Sequence, residues 1–134
     1  MVPLLVGTLL AISVGLTFSA LGFDRDRAFY PVVTIVVASY YVLFAAIGGS
    51  TETLVSELLV CAVFVAAAVA GFRGSLWIAA VALAAHGAFD LVHGSIISNS
   101  GMPGWWPDFC LAYDVVAAAY LAWLLKSGRV RAVA

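Results

Sequence analysis

Apolar residues run along this chain in five long stretches, at 2–22, 31–49, 54–72, 75–97 and 108–126, separated by short polar breaks. Each is at or near the roughly 20 residues a helix needs to cross a ~30 Å hydrocarbon core. A lone apolar segment in lipid must satisfy its own backbone, which only a helix does. The alternation of barrel strands is absent. The pattern predicts an all-α integral membrane protein, a five-transmembrane-helix bundle forming one domain over 1–134.

The breaks carry local stop and start signals. Phe23-Asp-Arg-Asp-Arg-Ala-Phe-Tyr-Pro31 reads as a charged turn with proline at the next helix start. Its alternating signs suggest local salt bridges. Gly48-Gly-Ser-Thr-Glu-Thr53 is a polar turn in which Ser50 or Thr53 can cap the third helix. Arg73-Gly74-Ser75 closes the third helix and opens the fourth. The longest break, Ser98 to Pro107, holds Trp105 and Trp106, which suit an interfacial aromatic belt or a lid. Asp108 stands where an N-cap belongs.

Composition agrees with this pattern: 65% of residues are hydrophobic and 10% charged, against about half and a quarter in soluble domains. With five spans, Arg25, Arg27, Arg73, Lys126, Arg129 and Arg131, which are all six basic residues, fall on one side. The positive-inside rule then predicts an outside N-terminus and a cytoplasmic C-terminus. Residues 1–22 lack a basic n-region and read as a span, not a cleaved signal peptide. The expected location is a bacterial inner (plasma) membrane. A net charge of -1 and the absence of a basic cluster argue against a nucleic-acid partner.

The first stretch carries Gly7, Ala11, Gly15 and Ser19 on one face. Such a small-residue stripe lets another helix approach closely. Packing within the chain is the first expectation, a homo-oligomer the second.

The chemistry gathers in the fourth stretch, where His86, Asp90 and His93 recur at i, i+4 and i+7 on one helical face. Ionisable groups inside a membrane span mark functional sites by default. Counted at 1.5 Å per residue from the outer boundary, His93 lies ~6 Å deep, Asp90 ~10 Å and His86 ~16 Å. Asp114 on the fifth helix lies ~9 Å deep and Glu57 on the third ~5 Å. Tyr40 and Tyr41 lie ~13 Å deep. These groups avoid lipid only if their helices adjoin. A cavity lined by Glu57, His86, Asp90, His93, Tyr113 and Asp114, with Tyr40 or Tyr41 as wall, is the expected catalytic site.

His86, Asp90, His93 and Asp114 form a nitrogen and oxygen donor set suited to zinc, iron or manganese. The i to i+7 rise of ~10.5 Å is long for one ion to bind both histidines. A two-metal site bridged by Asp90 and a single ion with a bystander histidine both remain open. Cys61 and Cys110 form no CxxC and read as buried thiols. No nucleophile-elbow serine and no phosphate-binding motif is present. Three functions follow: a metal-dependent or acid/base enzyme acting on a lipophilic molecule, a small proton- or cation-coupled transporter, or a structural subunit of a membrane complex.

Overall fold

The computed structural model describes residues 1–133. Among the described residues five α-helices make up the fold, α1 (Val2–Leu21), α2 (Phe29–Gly48), α3 (Thr51–Arg73), α4 (Leu76–Ile96) and α5 (Trp106–Lys126), with a single 3-10 turn at Phe23–Arg25 between the first two. All five are long and apolar enough to cross a membrane. They run up and down in chain order, so the turns alternate between two ends. One end carries the α1–α2 and α3–α4 turns and the C-terminal tail. The opposite end carries the N-terminus, the α2–α3 turn and the 97–105 loop.

Helix boundaries follow elementary capping chemistry. Gly22 ends α1 in the left-handed region, φ 79°, and its N–H reaches the carbonyls of Phe18 and Ser19. The second helix starts at Phe29, two residues before Pro31. Proline is accepted in a first turn, where its missing N–H would be unpaired in any case. Of the two candidate caps for α3, Ser50 is the one used, its hydroxyl accepting from the Thr53 N–H at 3.1 Å. Asp108 is not a cap: α5 begins at Trp106, and Asp108 sits in its first turn, where an acid complements the helix dipole.

Charged residues of the first turn also depart from expectation. Among the described residues, Arg25 and Arg27 form no salt bridge with Asp24 or Asp26. Arg27 instead donates to the carbonyls of Gly71, Phe72, Gly74 and Arg131. It thereby satisfies carbonyls at the end of α3, which have no partner within that helix. Asp24 is buried and accepts from Ser19 Oγ, which also pairs with Tyr120 at 2.8 Å.

Helix α4 is the centre of the bundle. It packs against α5, α3 and α2, while α1 packs chiefly on α5. The small-residue stripe of α1 meets α5 of the same chain. A methyl group added at Gly7 would run into the Phe109 carbonyl, and one at Gly15 would press on the Tyr120 ring. Overpacking at such a contact costs about 1–3 kcal/mol. Gly7→Leu is therefore expected to lower the thermal unfolding midpoint in detergent, whereas Leu9→Ala on the outer face leaves it nearly unchanged.

The interior is divided along its length. Toward the arginine end it is apolar, built on Leu76, Leu83, Leu121 and Leu124. Toward the opposite end it is polar, with Glu57, His86, Asp90, His93, Asn99 and Asp114 all buried. Large aliphatic residues such as Leu59, Val63, Val81 and Leu91 face outward, the arrangement a bilayer requires.

Candidate metal centre

Two polar clusters occupy the buried half of the bundle. In the first, α4 brings His86 and Asp90 to face Cys110 and Asp114 of α5. One ligand atom from each lies within 4.8 Å of all the others. His86 Nδ1 lies 2.6 Å from Asp114 Oδ2, and the Cys110 thiol donates to the same oxygen at 3.7 Å. Asp90 Oδ1 lies 3.8 Å from His86 Nδ1 and accepts a 2.6 Å hydrogen bond from the Tyr41 hydroxyl of α2. Gly87 gives α5 its close approach, since the nearest contacts of a Cβ there would be Val115 and Asp114.

The second cluster joins α3, α4 and the 97–105 loop. His93 Nε2 lies 2.9 Å from Glu57 Oε1, and Asn99 Nδ2 donates to that oxygen at 2.8 Å. Asn99 also donates to the Tyr41 carbonyl at 3.0 Å. Tyr41 stands between the clusters, its ring centroid 4.3 Å from that of His93 and 5.7 Å from that of His86. Phe64 and Phe89 close the remaining sides of the imidazoles.

The packing differs from an open cavity lined by six polar residues. Glu57, His86, Asp90, His93 and Asp114 are each at most 4% exposed, and the rings of Tyr41, Phe64 and Phe89 pack against the two imidazoles. The group of four close donors does not include His93, whose contact is Glu57 at 2.9 Å. Cys110 takes its place among the donors. Tyr113 lies apart, between α1, α2 and α5, with no hydrogen bond to either cluster among the described residues. Tyr41, rather than Tyr40, is the polar wall.

Two residues escaped the sequence reading. Asn99 sits in a loop, where nothing in the pattern marks it as buried. Cys110 was visible four residues before Asp114, on the same helical face, but the burial habit of free cysteines favoured a plain packing role.

The 97–105 loop is fastened over this end. Ser100 Oγ donates to the Gly48 carbonyl at 2.6 Å, and Thr53 Oγ1 to the Ser98 carbonyl at 3.1 Å. Gly101 packs so closely on Phe44 that a Cβ would strike the Phe44 carbonyl oxygen. Trp106 folds inward against Tyr40 and Phe44, whereas Trp105 is exposed.

The donor set fits a divalent cation on chemical grounds. Asp90 and Asp114 are buried in one cluster and Glu57 in the other, and among the described residues none of the three pairs with a lysine or arginine. Grouped buried carboxylates repel one another and lose hydration. Among the described residues Asp90 Oδ2 and Asp114 Oδ1 have no hydrogen-bond partner, so acceptor capacity stands unused in a cluster of one imidazole, two carboxylates and one thiol. Nitrogen, oxygen and sulfur donors in a group of four suit zinc best.

Removing the Tyr41 hydroxyl should expose this balance. Tyr41→Phe keeps the ring between the histidines but takes away the donor to Asp90. Leaving a buried acceptor unpaired costs about 1–3 kcal/mol. Thermal unfolding of Tyr41→Phe in detergent is expected to show that loss.

No family model, curated protein or solved structure matches this chain.

Proposed function

We propose that this chain is a membrane-embedded zinc enzyme that hydrolyses an ester or amide bond in a lipophilic molecule. The observation that carries the reading is the buried donor set of His86, Asp90, Cys110 and Asp114. His86, Cys110 and Asp114 are the ligands in this account. Three protein ligands with a further open position are the habit of catalytic zinc sites. A zinc ion there would polarise a carbonyl and acidify water.

Asp90 is the proton-handling residue. Tyr41 holds one of its oxygens, and the other is unpartnered. It takes a proton from the attacking water as the new carbon–oxygen bond forms. It then returns that proton to the departing oxygen or nitrogen, giving a carboxylic acid and an alcohol or amine. Glu57, His93 and Asn99 hold Tyr41 in place from the other side.

The basic residues gather at the other end of the molecule, which supports a cytoplasmic C-terminus. The zinc centre then lies in the outer half of the bilayer, within reach of lipophilic molecules of the outer leaflet.

Metal analysis of purified protein tests the proposal. About one zinc per chain is expected in the wild type and little in His86→Ala. Absence of bound zinc, iron and manganese, together with failure to take up added metal, removes the metal reading. A metal-free acid/base enzyme is the second reading, favoured by the two histidine–carboxylate pairs, His86–Asp114 and His93–Glu57.

A further inference from the structure

A slot opens between α1 and α2, which meet mainly at their shared turn. Its volume is about 270 Å³, close to the lower end of small-molecule sites, roughly 300–1,000 Å³. One wall is Leu10 and Val14, and the other is the valine row Val32, Val33, Val36 and Val37. Helix α5 forms the floor with Phe109, Cys110 and Tyr113. Along α2 the slot runs from Phe29 to Tyr40, about 16 Å of helix.

Two features separate it from an ordinary lipid-facing crevice. Cys110 belongs to both the slot floor and the zinc donor set. A molecule in the slot is thus one thiol away from Asp114. One turn earlier on α5, Trp106 lines the same slot, and its buried indole N–H has no acceptor among the described residues. Buried donors are rarely left unpaired. A carbonyl or carboxylate oxygen at that end would satisfy it, with hydrocarbon extending along the valines toward Phe29.

We infer that the slot holds the substrate's linear acyl chain, carbonyl end toward Trp106 and Cys110. The inference rests on the zinc-hydrolase reading for its chemistry and on the slot alone for its binding. The valine wall suits a hydrocarbon chain.

The test uses stearate brominated at mid-chain, a short-range quencher of tryptophan fluorescence, added to the protein in lipid nanodiscs. One variant keeps Trp106 alone, with Trp77→Phe, Trp105→Phe and Trp123→Phe. A companion keeps Trp77 alone, part-exposed near the arginine end. Quenching of Trp106 is expected to saturate and to reverse with excess plain stearate, while Trp77 is quenched only in proportion to the bromolipid present. Val33→Phe and Leu10→Phe, which fill the slot from its two walls, should each abolish the saturable part and leave zinc content unchanged. Proportional quenching of Trp106, or saturable quenching that survives both fillings, overturns the inference. Displacement by a polyprenol but not by stearate overturns the acyl assignment. Leu10→Cys crosslinks between copies that exclude the probe give the slot to a second chain and overturn it too. Saturable quenching in a protein that binds no zinc sustains the slot and removes the hydrolase reading instead.

Discussion

Asp114→Ala is expected to empty the metal centre. Asp114 sits between two other donors, 2.6 Å from His86 and 3.7 Å from Cys110 through the same oxygen. Its loss removes one ligand and the group that orients a second. Outer-shell partners of a metal ligand are worth about 10–100-fold in affinity. Loss of a ligand that also orients another should therefore exceed about 100-fold. A competition titration against a chromophoric zinc chelator measures this directly. Asp114→Asn keeps the shape but removes the charge, and should fall between wild type and alanine. Wild-type zinc affinity in Asp114→Ala would mean that the donor set does not bind the ion.

His93→Ala is expected to have the opposite profile, a large loss of stability with zinc retained. Its imidazole is fully buried against Glu57, 2.9 Å away. Removing it leaves a buried Glu57 oxygen short of a hydrogen-bonding partner, which costs about 1–3 kcal/mol, and adds the cost of the cavity left beside the Tyr41 ring. Among the described residues Asn99 is then the one hydrogen-bond donor left to Glu57, and the Tyr41 ring loses its contact with the imidazole. Unfolding in detergent would read the cost, and metal analysis would show about one zinc per chain. Replacing both partners, His93→Leu with Glu57→Met, should recover much of the stability, because apolar side chains of similar volume often match a buried pair. Loss of zinc in His93→Ala at temperatures where it stays folded would return His93 to the ligand set.

Those contrasting expectations arise from a division that the linear pattern shows only faintly. Helix existence was legible, because stretches of about 20 apolar residues between polar breaks admit little else in lipid. The polar face of α4 was legible too, since i, i+4 and i+7 spacing has one geometric meaning. The ~10.5 Å rise from His86 to His93 already weighed against one shared ion. Which helix supplies the partner of each histidine depends on helix packing order, and local spacing does not encode it. Asn99 and Tyr41 reach the site only through that packing. Cys110 shows the limit from the other side: its position relative to Asp114 was plain, but its role depends on α4 lying against that face. Arg27 likewise looked like a partner for its neighbouring acids until the end of α3 presented bare carbonyls to it.

The central claim is that one zinc ion binds among His86, Cys110 and Asp114 in the interior of the bundle. X-ray absorption at the zinc edge of the purified, zinc-loaded protein tests it most directly. The account predicts a single sulfur neighbour at about 2.3 Å with nitrogen and oxygen neighbours at about 2.0–2.2 Å, and loss of the sulfur shell in Cys110→Ser. A shell of nitrogen and oxygen alone, unchanged by Cys110→Ser, would contradict it.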